Sequence, residues 1–224
     1  MRFKSKPFRK RLDILRGKAP GWFLKDLKGV IHVGANTGAE HSSYAAHDLN
    51  VLWIEPIPSV FEELERNISD HPKQSAIRAL VSQRSGDDVT LHVSNNGGQS
   101  SSILPIGLHK DIWPDVHFVA DIKLKSETLA DVLARSGRSK DEFDCLVMDT
   151  QGSEMLVLTG ALDMLPQFRF IHTEVADFEI YEGCCTLADM DAFMAAHGFR
   201  EAHRWRFAKR KEGGKCYDIT YRRV

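Results

Sequence analysis

Phe143 to Asp149 is a near-continuous apolar run, Gly29 to Val33 and Asn50 to Glu55 are short and mostly apolar, and Phe168 to Val175 reads as a further strand. A strand with one wet face alternates polar and apolar residues, so runs without alternation mark strands covered on both faces. Helical segments lie between them. Gly38 to His47 has helical composition, and Ser59 can cap a helix in which Val60, Phe61, Leu64 and Ile68 share a face. Ser126 starts another helix through Leu129, Val132 and Leu133; Ser153 to Leu165 and Leu187 to His197 follow, the last closed by Gly198. Doubly covered strands alternating with helices specify a doubly wound, mostly parallel α/β sheet.

The middle and the end of the chain break this rhythm. Ala76 to Val81 is predicted as a third strand, and Gln83 to Lys125 as an irregular stretch. Within it Val89 to Val93 alternates like a half-exposed strand, and Asn95 to Ser102 is a turn-rich loop bordering a cleft. His109, Trp113 and His117 follow, read either as lining for an acceptor pocket or as a surface excursion. Phe199 to Phe207 and Cys216 to Arg223 are predicted as strands joined by the basic turn Ala208 to Lys215, a connection short enough to make them an antiparallel C-terminal hairpin.

Composition excludes several classes. With 42% hydrophobic and 27% charged residues, the 224-residue chain is neither disordered nor fibrous. No apolar run approaches the roughly 18 residues of a membrane span, and the basic N-terminus lacks the apolar stretch of a signal peptide. Cys145, Cys184, Cys185 and Cys216 show no C-x-x-C spacing, which argues against a zinc site or a disulfide framework and for a reduced, cytoplasmic protein. The net charge of −1 is an average over +8 in residues 1–28, −15 in 29–198 and +6 in 199–224. We therefore expect a basic extension over 1–28 and one domain over 29–224. The basic ends, including a face of Phe8, Leu12 and Leu15, would either contact an anionic acceptor or membrane surface peripherally or serve as solvated charge.

His32-Val33-Gly34-Ala35-Asn36-Thr37-Gly38 joins the first strand to a helix. Glycines there let the backbone pass close to a ligand, and the helix start offers unpaired N–H groups. Glu55 ends the second strand, 21 residues after Gly34, where a carboxylate can accept both ribose hydroxyl hydrogens. The glycines can also be simple turn and packing residues, with Glu55 a solvated strand end; the combination favours a nucleoside ligand. Asn36 stands where a dinucleotide fingerprint has its second glycine, which points away from a dinucleotide and towards S-adenosylmethionine (SAM).

Asp149-Thr150-Gln151-Gly152-Ser153-Glu154, taken with Val33 to Gly38, Glu55-Pro56, Ser101-Ser102, Glu174-Val175, Tyr181-Glu182-Gly183 and Gly198-Phe199, resembles the FkbM family of SAM-dependent methyltransferases over about residues 29–200. The resemblance implies a class I methyltransferase (Rossmann-like) fold and O-methylation of a hydroxyl on a sugar, glycan or polyketide-like small molecule; a nucleic-acid partner is not expected. It implies that Gly34, Asn36 and Gly38 cradle the amino-acid end of SAM, that Glu55 holds the ribose, and that Ser101, Ser102, Asp149 and Gln151 complete the cofactor site. The chain departs from the family at Val81-Ser82-Gln83, where no acid is available for the adenine.

Transfer of a methyl group to an alcohol also requires somewhere for the acceptor proton to go. Asp149, His172 and Glu174 are the catalytic candidates at strand ends; in an alternating strand His172 and Glu174 share a side, although His172 also reads as a satisfied core histidine. Asp149, Glu154 and Glu174 together could hold Mg²⁺ or a similar hard cation, or Glu154 could merely favour its helix N-terminus. Two other function classes compete: an NAD-linked oxidoreductase using the same turn, and an inactive binding module working through its basic ends.

Overall fold

The computed structural model describes residues 20–224, so the Phe8, Leu12 and Leu15 stripe lies outside the described residues. After a 3-10 turn at Pro20–Leu24 come β1 (Gly29–Val33), α1 (His41–Ala46), β2 (Asn50–Ile54), α2 (Pro58–Ile68), β3 (Gln74–Ile77), β4 (Leu80–Val81), β5 (Asp88–Ser94) and β6 (Phe118–Glu127). The second half adds α3 (Leu129–Ser136), β7 (Cys145–Met148), α4 (Glu154–Thr159), β8 (Phe170–Ala176), α5 (Leu187–Ala196), β9 (Phe199–Lys209) and β10 (Lys215–Arg223).

Seven strands form one sheet in the order β3-β2-β1-β7-β8-β10-β9. The first five are parallel, and β10 runs antiparallel to both β8 and β9. This is the expected class I methyltransferase architecture: a doubly wound sheet, mostly parallel, with a C-terminal antiparallel hairpin. The run of four or five buried residues in β1, β2 and β7 follows from cover on both faces. Ile31, Val33, Leu52, Ile54, Leu146 and Met148 turn to one face, against Leu129 and Val132 of α3, Val157 of α4 and Met190 of α5. Val30, Val51, Trp53, Cys145 and Val147 turn to the other, against Tyr44 of α1, Leu64 of α2, and Phe23 and Leu24 from the 3-10 turn. The body thus already includes residues that precede β1.

Several sequence expectations are corrected. Ser59 does not cap α2; Ile57 holds the cap position and Pro58 opens the helix, where a missing N–H costs nothing. The strand predicted over Ala76 to Val81 is two strands in two sheets: β3 joins β2, whereas β4 pairs with β6. The ten-residue β6 lies partly inside the stretch predicted as irregular, and pairs antiparallel with β5. This β5–β6 ribbon keeps one face wet, with Ile122 and Leu124 turned inward onto Leu91, Ile57 and Val60, so it lacks the apolar run that marks a core strand. The helix expected over Ser153 to Leu165 ends at Thr159 and resumes as a 3-10 turn after Gly160. A Cβ on Gly160 would fall 2.9 Å from Gln83 Cα, so the chain bends there as it passes a neighbouring segment.

At the amino ends of the parallel strands, buried Asp144 ties β1 to β7. Its Oδ1 accepts hydrogens from the amides of Lys28 (2.8 Å) and Gly29 (3.3 Å), and Arg169 Nη1 lies 3.4 Å from Oδ2. Asp144→Ala should lower the unfolding free energy by about 2–3 kcal/mol, because two amides lose a charged acceptor. Urea denaturation tests this; a loss below about 0.5 kcal/mol would show the tie to be dispensable.

Candidate active site

The strand order reverses at β1, with β2 and β3 on one side and β7 and β8 on the other. In doubly wound sheets the crevice beyond the carboxyl ends at such a reversal is the ligand site. Here it is an open cleft that sets a few polar groups against an apolar wall, as small-molecule sites do. Val33 and Gly34 form its floor, Glu55 to Ile57 one side, and Asp149 to Gln151 the other. Leu80, Val81, Leu91 and Ile103 supply an apolar wall, and Gly98, Gln99 and Ser101 a roof.

The floor depends on Gly34. The amides of Gly34 and Ala35 both donate to Ile54 O at 3.0 Å, and the Asp149 amide donates to Val33 O at 3.0 Å, so the tip of β1 is clasped by β2 and β7. A Cβ on residue 34 would fall 2.7 Å from the Asp149 carbonyl carbon and closer still to its oxygen, and φ is +77°. Asn36, at φ +48°, turns the chain so that its own amide donates to Glu55 Oε2 at 2.8 Å. The Ile57 amide donates to Oε1 at 2.9 Å. Burial pushes the Glu55 carboxyl up to about 7, and the nearby Asp149 charge adds to the effect, while the two amide bonds oppose it.

On the opposite side Gln151 (φ +54°) and Gly152 (φ +101°) are consecutive left-handed residues. Glu154 holds this turn: its carboxylate accepts hydrogens from the Thr150 amide at 2.8 Å and the Gly152 amide at 3.0 Å. Burial pushes Glu154 up to about 7, and Asp149 contributes in the same direction. Gln151 Nε2 donates to Asp149 Oδ1.

The roof is a cross-braced loop. Asn36 Nδ2 donates to Gly97 O (3.1 Å), Ser102 Oγ to Gln151 O (2.7 Å), and Asn96 Nδ2 to Ser100 Oγ (2.9 Å). The Ser94 amide donates to Ser101 Oγ at 3.0 Å. The Tyr181 hydroxyl donates to Gln151 Oε1 (2.9 Å) and Ser100 O (3.2 Å).

Gly34, Asn36, Glu55, Ser101, Asp149 and Gln151, all named from the sequence, therefore line one cleft. Ser102 is buried behind it and acts on Gln151 from there. Gly38 packs against helix α2, where its Cβ would lie 2.5 Å from Leu64 Cδ1, and it does not cradle the cleft. His172 and Glu174 sit on the face of β8 shared with Phe170. His172 stacks on Phe23 at 5.3 Å and its Nδ1 pairs with Thr220 Oγ1 at 3.0 Å, while Glu174 stands across from Asp218 of β10. Neither lines the cleft.

The cation site expected at Asp149, Glu154 and Glu174 is not assembled. No group of three His, Cys, Asp or Glu side chains among the described residues is placed to hold a metal, because the Glu154 carboxylate turns back onto its own loop. His109 is buried between Trp113 (ring centroids 4.7 Å apart) and Tyr181 (5.4 Å), so it is packing and not open pocket lining; burial pushes its imidazole down to about 4.

Sequence reasoning missed Thr150, whose Oγ1 is buried without a hydrogen-bond partner in the cleft wall. It placed Ile103 behind the cleft-bordering loop but missed Leu80 and Leu91, which complete the apolar wall. The adjacent apolar residues Leu80 and Val81 were the available signal for that wall.

A family profile described as methyltransferase FkbM domain matches residues 32–201. The 2-O-methyltransferase NoeI of Sinorhizobium fredii is 26% identical over 162 residues, which is 69% of this chain and 65% of that protein, so the chain spans slightly less than two thirds of this relative. Two solved structures share the fold. Methyltransferase FkbM from Methylobacillus flagellatus aligns with TM-score 0.52 and 12% identity over 85% of this chain and 43% of its own. The Burkholderia thailandensis 1,6-didemethyltoxoflavin-N1-methyltransferase, solved with bound S-adenosylhomocysteine (SAH), aligns with TM-score 0.52 and 10% identity over 99% of this chain and 80% of its own.

Gly34→Ala should cost more than about 3 kcal/mol of unfolding free energy, since the methyl group collides with backbone that β7 holds in place. Chemical denaturation measures it; a loss under about 1 kcal/mol would mean that the tips of β1 and β7 can part without penalty.

Proposed function

The chain belongs to the FkbM family of methyltransferases, and from that premise we propose that it is a SAM-dependent O-methyltransferase acting on a hydroxyl of a sugar, glycan or comparable small molecule. The observation that carries the reading is the pair of carboxylates at the tips of β2 and β7, Glu55 and Asp149, facing each other across the Gly34 turn in one cleft. The O-methyl part is supported by similarity to an enzyme named for 2-O-methyl transfer. The NAD-linked and inactive-module readings have no comparable support.

The donor set fits the cofactor. Glu55 is held by two amides, yet each carboxylate oxygen retains a lone pair for a ribose hydroxyl. The apolar wall of Leu80, Leu91 and Ile103 offers a surface for a planar base. Asp149, oriented by Gln151, offers negative charge to a cationic amino-acid end, and the Thr150 hydroxyl lacks a protein partner. When bound, SAM supplies an electrophilic methyl group on sulfur for in-line transfer to the acceptor oxygen. Alignment supplies much of the rate in such a displacement, and the cross-braced roof and clasped floor are what this chain provides towards it. Asp149 is the one member of the Asp149, His172 and Glu174 set that lines the cleft, and it keeps the role nearest the reacting end.

Titration calorimetry with SAH tests the reading. Binding should weaken at least tenfold in Glu55→Gln, which loses a charged acceptor of ribose hydroxyls. Burial pushes the free Glu55 carboxyl up to about 7, and its ionised form is the better acceptor for two hydroxyl donors. Affinity should therefore fall by about tenfold from pH 8 to pH 6, and Glu55→Gln should flatten that dependence. No binding at millimolar SAH to the folded wild-type protein would contradict the proposal.

A further inference from the structure

Tyr181 is fully buried, follows β8 and does not itself line the cleft, but its hydroxyl reaches Gln151, which does, and the Ser100 carbonyl in the roof. We propose that Tyr181 is a positioning residue for the cofactor end of the cleft: its hydroxyl fixes the Gln151 amide, and through that amide the Asp149 carboxylate, while pinning the serine-rich roof at Ser100. This inference rests on the reading of the cleft as the SAM site.

The polarity of the network leaves one arrangement. Asp149 accepts from Gln151, so the amide nitrogen of Gln151 faces the carboxylate and its oxygen faces Tyr181. A flipped amide would set two oxygens against each other at Asp149. Tyr181 must then direct its one hydrogen to Gln151 Oε1 at 2.9 Å, with the Ser100 carbonyl sharing it as a second acceptor at 3.2 Å. Burial, reinforced by the charges of Asp149, Glu154 and Glu174, pushes the phenol well above its ordinary value, so the donor keeps its proton.

The ring has a separate task. A Cβ on Gly152 would lie 3.0 Å from Tyr181 Cδ2, so the tyrosine ring and the left-handed Gly152 occupy adjoining space and set the height of the turn. Gln151 itself holds a left-handed backbone, a conformation that a non-glycine residue keeps only where its surroundings offset the strain. Ser102 fixes its carbonyl and Tyr181 its side chain. The ring therefore supports the turn, and the hydroxyl aims the amide.

Tyr181→Phe separates the two tasks, because phenylalanine keeps the ring and removes the donor. SAH affinity is measured by calorimetry for wild type, Tyr181→Phe, Gln151→Ala and the double variant, with thermal unfolding of each to confirm folding. Each single variant should bind SAH about tenfold more weakly, and the double variant no more than about twofold more weakly than either, since both changes cut the same relay. A purely structural tyrosine would lower the unfolding temperature and leave SAH affinity within twofold, or would give penalties that multiply to about a hundredfold; either result overturns the inference. Failure of wild type to bind SAH at all would instead overturn the reading of the cleft.

Discussion

The closest approach that the architecture depends on is between Gly34 and the Asp149 carbonyl. The tip of β1 and the tip of β7 meet where a side chain at position 34 would have to stand. This contact brings the two halves of the sheet together at the reversal of strand order. It also sets the Glu55 side of the cleft opposite the Asp149 side, because Gly34 and Ala35 both hang from Ile54 O and Asp149 hangs from Val33 O. Everything polar in the site is fixed relative to that junction.

Around it, backbone amides do most of the work usually given to side chains. Glu55 is gripped by the amides of Asn36 and Ile57, and Glu154 by those of Thr150 and Gly152. Both carboxyls are pushed up to about 7 by burial in spite of these bonds. The charge of the half-buried Asp149 adds to the effect on both, so three acids stand close together. Such a concentration of negative charge suits a ligand that brings a cation and hydroxyl donors. It also explains why Glu154, which looks like a metal ligand by spacing, is better understood as the clamp of its own turn.

Much of this was legible in the sequence, for reasons that differ by element. β1 spans the predicted residues and β2 all but the last of its own, because apolar runs without alternation leave few other structures. The Gly34 to Glu55 spacing revealed the floor and one side of the cleft. Parity placed His172 and Glu174 on one side of β8 correctly, but periodicity of two does not say which side; Phe23, arriving from before β1, occupies that face at His172. Gly34 and Gly38 both need positive φ, so the pattern alone did not separate the one at the cleft from the one that packs under Leu64. The β5–β6 ribbon was half missed because one face is wet and β6 contributes Ile122 and Leu124 alone to the inward cluster that β5 builds with Val89, Leu91 and Val93. Tyr181 was legible as a motif residue, but its role depends on burial beneath Gly152, which no local pattern encodes.

The most direct test of this account is a crystal structure of the protein with SAH. The account predicts the ribose hydroxyls within hydrogen-bond distance of the Glu55 carboxylate, the base against Leu80, Leu91 and Ile103, and the amino-acid end beside Asp149 with the Gln151 amide unflipped. A nucleoside bound elsewhere, or one seated in the cleft with its ribose turned away from Glu55, would contradict it.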